Sequence, residues 1–415
     1  MMRFDTVIIG GGLSGLVCGL QLQRSGQRTA VVSEGCSALG LMSGAFGLLG
    51  RIERKEVSNP IQEVALLSEE HPYRRIGGAM EDYANAAKGF LESIGIGMYG
   101  DCTKNHYRLS LVGELMPAWL SMEDLLPVGG SDDFRGKRVG IISFAGFLDF
   151  PAAVLSRTLR KLGAEVGENV LELPALMQAR ESVSEFRSVH VARRFADSRL
   201  FEELVQALAR VASNSDFLLL PAVFDSINLV RELRSLCENL NCRIGCVATL
   251  PPSVLGLRLA SALGQAYADA GGVLLANNSV EGAKISRKRV ESVRVDNLGA
   301  DYLEAGAFVH AGGKFYGKGL QSSREGISER IFGCDVICDV SREEWLGNDF
   351  FDGHAFSRYG LRTGVDFRAL VAGEEMQNLY VVGSLLGGCD SLAEGSGGGV
   401  ALLTALRVAD AIVKG

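Results

Sequence analysis

The chain opens with a short apolar run, FDTVII, which gives way at residue 10 to glycines and then to LSGLVCGLQLQRSG, where Leu13, Leu16, Val17 and Leu20 recur at helical spacing. This pattern predicts a strand, a glycine turn and a helix ended by Gly26, followed by a second strand in RTAVVSEG. LMSGAFGLLG (41–50) reads as a glycine-rich loop or helix start, and residues 51–136 are mixed and polar, with helices expected in PIQEVALLSEE and MEDYANAAKGFLESIG. At 137 a new alternation begins: strand and loop in KRVGIISFAGFLDF, a helix opened by Pro151, and a buried strand in DFLLLPAVF. It runs to about 255. A helix and strand then follow in GLRLASALGQAYADAGGVLLAN, with a hairpin in AKISRKRVESVRVD and a strand running into glycines in AGAFVHAGGKFYGKGL. NLYVVGSLLGGCD and EGSGGGVALLTALRVADAIVKG close the chain as strand, glycine turn and helix. The expected architecture is α/β and Rossmann-like. One domain is discontinuous (1–136 and 256–415) and carries the glycine turns, the flavin-binding domain of the reading below, and residues 137–255 form an inserted second α/β domain for substrate or interface.

Composition narrows the classes. The chain has 415 residues, 47% of them hydrophobic, with 52 glycines against 9 prolines, as suits a compact two-domain α/β enzyme. A net charge of -7 and no dense Lys/Arg cluster argue against nucleic acid as a partner and against a membrane-binding basic patch. No apolar stretch is long enough to span a bilayer. The opening segment has an Arg before an apolar run, as a signal peptide does, but its glycines serve the turn better and no cleavage site follows cleanly. A cytoplasmic protein is expected. The nine cysteines form no C-x-x-C pair, and Cys242 and Cys246 read as buried small hydrophobes within a strand. No metal site is expected, and any iron-sulfur cluster belongs to another chain.

The chemistry begins at Gly10-Gly11-Gly12-Leu13-Ser14-Gly15, a G-x-G-x-x-G between strand and helix. Gly10 permits the turn, Gly12 lets backbone approach a phosphate, and Gly15 lets the helix pack on the strand. The helix N-terminus, Leu13 and Ser14 included, then receives the anion, helped by about 0.3–1 kcal/mol from the macrodipole. Either a flavin or a nicotinamide nucleotide satisfies this motif. Later segments favour flavin: Gly312 and Gly313 after one strand, Gly383, Ser384 and Asp390 after another, and the closing-helix start Gly397, Gly398, Gly399 and Val400 resemble the cofactor-facing strand ends of two-domain flavoproteins. Ser43 and Gly44 join this set from the early glycine-rich stretch.

The segments MRFDTVIIGGGLSGLVCGLQLQRSGQRTAVVSEGCSAL, GFLDFPA, EFRSVHVAR, TLPPSVLGLRL, GSLLGGCD and GSGGGVA occur in this order. Together they resemble the B subunit family of anaerobic glycerol-3-phosphate dehydrogenase over residues 2–413. The resemblance implies a three-subunit assembly in which an FAD-bearing catalytic subunit and this FMN-bearing chain sit on an iron-sulfur, membrane-anchoring subunit. Electrons from glycerol 3-phosphate then pass to quinone at the inner face of the cell membrane.

One departure from the usual nucleotide site bears on the cofactor. The acidic residue that holds an adenosine ribose is expected at the end of the second strand, a seat that counting from Gly26 assigns to Ser33, with Glu34 one place late and on the opposite face. Either the cofactor is FMN, with no adenosine to hold, or the register is shifted by one and Glu34 serves FAD. The resemblance favours FMN.

Oxidising a secondary alcohol also needs a base and cations for the substrate phosphate. His71, His106 and His190 read as surface or capping residues. His310 ends a strand beside the expected flavin. If HAFSRYGLR is helical, His354 and Arg358 share one face, and Arg362 adds a phosphate contact. Arg258 and Arg324 are weaker phosphate or partner-surface candidates. Three roles remain open from the residues: a subunit that oxidises substrate, an electron relay served by its partner, and a free-standing FAD oxidoreductase or a scaffold without cofactor.

Overall fold

The computed structural model describes residues 2–35, 37–178, 186–297, 302–338, 340–349 and 352–415. The chain begins with strand β1 (Met2–Ile9), helix α1 (Leu13–Arg24) and strand β2 (Thr29–Ser33). In the large sheet β1 lies between β2 and the strand Tyr302–His310, parallel to both, and Val273–Ala276 extends the β2 edge. The far side of Tyr302–His310 is shared: its first half pairs with the hairpin Val280–Ser286/Arg289–Val295, and its second half with the parallel strand Glu374–Val381. Val7, Ile8, Val31, Phe308 and Val309 are fully enclosed because α1, Val254–Asp269 and the closing helix Gly397–Lys414 bring apolar residues such as Leu20, Leu259, Leu402 and Leu403 into the same core.

Register decides where ligands can go. Ile9 stands level with Val32 and His310, and His310 with Val381, so four parallel strands end in line. Gly10, Ser33, Ala311 and Val382 therefore leave the sheet at one carboxyl edge, where open α/β sheets bind ligands. Two glycines make this edge possible. Gly10 has φ +113 and a Cβ there would lie 2.3 Å from the Ala311 carbonyl oxygen; a Cβ on Gly15 would lie 1.9 Å from the Gly10 carbonyl oxygen.

A second sheet, parallel throughout, has the order Glu165–Leu171, Arg138–Phe144, Phe217–Pro221, Arg243–Val247. The helix Ser198–Ala212 presents Leu200, Phe201, Leu204, Leu208 and Ala212 to the core at helical spacing, and Phe144, Phe195 and Phe224 stack beside them. Arg258 belongs to the contact between this sheet and the rest of the chain: its guanidinium donates twice to the enclosed Asp124, whose carbonyl accepts from Cys246 N–H at 2.7 Å.

Several local expectations are corrected. HAFSRYGLR is not an α-helix: only Ala355–Arg358 forms a 3-10 turn, with His354 outside it at φ -108, ψ 126 and Tyr359 extended. The chain then straightens because Gly360 must pass the backbone of Gly387, where a Cβ would lie 2.4 Å from its nitrogen. LMSGAFGLLG contributes only the end of a 3-10 turn, Ala38–Leu41, and the short strand Ala45–Phe46. His71 and His106 are enclosed rather than on the surface, whereas His190 is exposed. His71 does cap a helix, accepting from Tyr73 N–H at 3.1 Å.

Candidate functional site

A cavity of about 1060 Å³ opens along the carboxyl edge of the large sheet. Its centre is the turn Gly10–Ser14. Gly12 caps α1 without a side-chain hydrogen bond, so the first-turn N–H groups have no partner in the helix. One end is walled by Met42, Ala45, Phe46, Ser384, Gly397 and Gly398, and the other by Ser33, Glu34, Asn278, Val280 and Arg294. The first end is apolar and glycine-lined, suited to a flat ring; the second is polar.

Of the residues singled out in the sequence for the cofactor, Gly10, Gly12, Leu13, Ser14, Ser33, Glu34, Gly312, Gly313, Ser384, Gly397 and Gly398 line this cavity. The others stand one layer behind it. Gly15 and Gly383 permit close packing, the latter at φ +72 with a Cβ position 2.3 Å from Ser14 Oγ. Gly44 backs onto Leu255 with Ser43 beside it, Gly399 packs under the Tyr73 hydroxyl, and Val400 is in the core. Asp390 is enclosed: it accepts from Ala393 N–H at 3.1 Å, capping the turn Ser391–Glu394, and from the Ser357 hydroxyl.

Ser33 ends β2 with its Oγ turned under the glycine turn, 2.5 Å from where a Gly11 Cβ would be. Glu34 follows it at the rim, about half exposed, and its carboxylate pairs with Lys318.

His310 forms part of the cavity floor and is fully enclosed. Its Nε2 lies 3.3 Å from Glu329 Oε1, with the ring out of line for a good hydrogen bond, and Phe332 packs edge-on at 5.5 Å. Glu329 also accepts from the N–H groups of Ile331 and Phe332 at 2.7 and 2.9 Å. Burial pushes this carboxyl's pKa up, but the histidine and the backbone donors outweigh it and hold the value at about 2. His354, Arg358 and Arg362 do not line the cavity. His354 Nδ1 accepts from Gly347 N–H at 2.9 Å, Arg358 is exposed, and the Arg362 guanidinium is 3.7 Å from Glu70.

Three features were not read from the sequence. Lys314, immediately after Gly312-Gly313, lines the cavity; a lysine directly after two glycines at the end of a buried strand was the available signal. Glu329 had none, since its partner is nineteen residues away. His71 Nε2 lies 3.1 Å from Glu394, which accepts from the Ser396 hydroxyl at 2.8 Å and Asp390 N–H at 3.0 Å, fixing the chain just before the closing helix. Burial pushes the Glu394 carboxyl's pKa up, but His71 and Ser396 prevail and lower it.

Comparison with known proteins agrees with this geometry. Residues 5–400 match the FAD binding domain family. The B subunit of anaerobic glycerol-3-phosphate dehydrogenase from Yersinia enterocolitica is 35% identical over 419 residues, covering 100% of this chain and 99% of that protein. The protein of the same name from Pectobacterium atrosepticum is 35% identical over 420 residues, again covering 100% of this chain and 99% of its own length. That of Aliivibrio fischeri is 31% identical, covering 100% of this chain and 96% of its own. The α/β Rossmann-like flavoprotein fold and a flavin as the class of cofactor follow from the matched domain. With full-length identity above 30% to these relatives, the chain belongs to the B subunit family of anaerobic glycerol-3-phosphate dehydrogenase.

Proposed function

We propose that this chain is the flavoprotein subunit of a quinone-linked glycerol-3-phosphate dehydrogenase complex, that it carries FMN, and that its own part is to relay electrons. The supporting observation is the cavity at the strand ends, in a chain whose relatives match it from end to end. A bound flavin accepts two electrons together and releases them singly, the conversion needed between an alcohol and an iron-sulfur chain. The chain's own residues hold the group. N–H groups of Leu13 and Ser14 receive the phosphate at the α1 terminus, Met42, Ala45 and Phe46 keep water from the ring, and Gly397 and Gly398 let the closing helix approach it.

Relay is favoured over direct substrate oxidation because His354, Arg358 and Arg362 lie outside the cavity wall and His310 is held against Glu329. The hydride then goes to an FAD-bearing partner subunit, and electrons leave through an iron-sulfur subunit that keeps the assembly at the cytoplasmic face of the membrane. Residues 137–255, containing the second sheet, form the inserted unit on which a partner docks. Among the described residues no helix is long and apolar enough to cross a membrane, so attachment through a partner suits this arrangement.

FMN is favoured by Ser33, which leaves the ribose seat without a carboxylate. FAD is the second reading, favoured by the extension of the cavity past Ser33 to Val280 and Arg294. Acid release of the flavin from the purified chain, with identification by mass, separates them: FMN is expected, and FAD would assign the polar end of the cavity to adenosine. Turnover of glycerol 3-phosphate by the isolated chain with an artificial acceptor would overturn the relay reading.

A further inference from the structure

Lys314 leaves the inner strand of the large sheet between two glycines and Phe315, and its side chain follows the cavity wall at the apolar end. Its Nζ donates to the carbonyl oxygens of Ser357 and Cys389, the latter at 3.3 Å. Both acceptors are neutral, and an ammonium has three donors, so one N–H is left over. Among the described residues no carboxylate lies within 4.0 Å of this nitrogen. The acids near it make hydrogen bonds of their own, Asp390 with Ser357 and Ala393, Glu394 with His71, Ser396 and the Asp390 N–H, and act on the lysine only through space. An ammonium held by two neutral carbonyls, on a residue that lines the open cavity, keeps a donor and a positive charge within reach of a group bound there. Burial pulls the lysine's pKa down, while Cys389, Asp390 and Glu394 act in the opposite direction.

We propose that Lys314 supplies the positive charge that compensates the anionic reduced form of a flavin in this cavity, and thereby sets the flavin's reduction potential. The inference rests on flavin occupying the cavity as described above. When the oxidised ring takes up two electrons and one proton it carries one negative charge; a second proton gives the neutral reduced ring. A nearby cation favours the first outcome. The closing-helix N-terminus at Gly397 adds charge of the same sign. Of the other titratable groups, His310 lies beside Glu329 and His71 beside Glu394, Lys318 pairs with Glu34 at the polar rim, Arg294 pairs with Glu281, and Arg330 also lines the cavity.

The test uses the full chain loaded with FMN. Flavin stoichiometry is measured first, then the midpoint potential against reference dyes across pH, with free FMN alongside. The pH at which uptake changes from two protons to one per electron pair is expected to be lower for the bound flavin than for free FMN. Lys314→Met is expected to move that pH back toward the free value and to make reduction 10- to 100-fold less favourable at pH 7, about 30 mV per tenfold for a two-electron couple. Lys314→Arg is expected to restore most of the difference. Should Lys314→Met fail to fold, Lys314→Gln takes its place, with donors for the two carbonyls but no charge. An unmoved potential in the uncharged variant, or a wild-type transition at or above that of free FMN, overturns the proposal. A variant that loses affinity for FMN but not riboflavin also overturns it, assigning the amine to the phosphate. A chain that takes up no flavin defeats the cavity reading itself, whereas an unmoved potential in a loaded chain defeats only the role of Lys314.

Discussion

The parallel strands of the two main sheets end in opposite ways. At the large sheet glycines follow three of the four aligned strands within two residues, Gly10, Gly312 and Gly383, and the space beyond the carboxyl ends is the cavity. At the smaller sheet the corresponding edge is filled: Asp149 accepts from Arg187 Nε at 3.0 Å and from Ser188 N–H at 2.8 Å, and Ser188 Oγ bridges Asp149 and Thr249 at 3.0 and 2.8 Å. Arg187 also donates to the Pro251 carbonyl at 3.2 Å, and Leu250 N–H to that of Asp149 at 2.9 Å. GFLDFPA, EFRSVHVAR and TLPPSVLGLRL, far apart in the chain, meet in this one polar knot. In this chain the edge with glycines at its centre stays open, whereas at the other edge the side chains satisfy one another and form a joint.

The sharpest way to break the contrast is to put a side chain where the open edge has none. Gly15→Val forces a Cβ into the Gly10 carbonyl, a strain of about 2–3 kcal/mol; flavin affinity is expected to fall roughly 100-fold. Retained colour after gel filtration would contradict it. On the filled edge, Asp149→Ala leaves Ser188 and a half-exposed Arg187 without their acceptor and is expected to cost about 3 kcal/mol in chemical denaturation. Flavin bound per folded chain should stay unchanged, and a parallel loss of flavin would show the two edges to be coupled.

Glu329→Gln probes the floor of the cavity. The folded pKa of about 2 lies below the usual 4.5, so the carboxylate contributes stability that is complete above pH 4.5 and lost as pH falls toward 2. The variant should be about 2–3 kcal/mol less stable at pH 7, with the difference shrinking in acid; a pH-independent difference would exclude the ionised carboxylate as its source. Ser33→Glu restores an acid at the ribose seat and is expected to shift the FAD:FMN affinity ratio roughly tenfold toward FAD, the worth of one charged hydrogen bond. Smallest is the rim pair. A double-mutant cycle on Glu34 and Lys318, 51% and 66% exposed, should give less than about 1 kcal/mol of coupling.

How much of this was legible in the sequence divides along similar lines. Gly10–Ser14, Gly312-Gly313 and Gly397-Gly398 could be located because apolar strand, glycine and helix follow one another locally, and all three segments line the cavity. The hairpin around Arg287 and Lys288 was also visible, although its left-handed turn, φ 47 and 63, is made without glycine. The long-range contacts of the charged side chains at and behind the cavity were not legible. Lys314 finds its carbonyl partners 43 and 75 residues away, and Glu394 finds His71 at a separation of 323. HAFSRYGLR failed for a different reason: a helical spacing of polar residues says nothing about Gly387, against which the backbone must straighten.

Because the cavity takes one wall from Gly10–Ser14 and another from Gly397, Gly398 and Ala401, its first wall is synthesised long before its second. The first strand, helix and glycine turn leave the ribosome long before Tyr302–His310 and the closing helix that cover them, while the smaller sheet is complete as soon as Val247 has emerged. The smaller sheet can therefore form on the nascent chain, whereas the cavity must wait until the Gly397 segment has emerged. A ligand of the cavity consequently finds both walls only after that segment is made, and a chain stalled before residue 397 would leave the apolar residues of β1 and α1 without the closing helix that covers them.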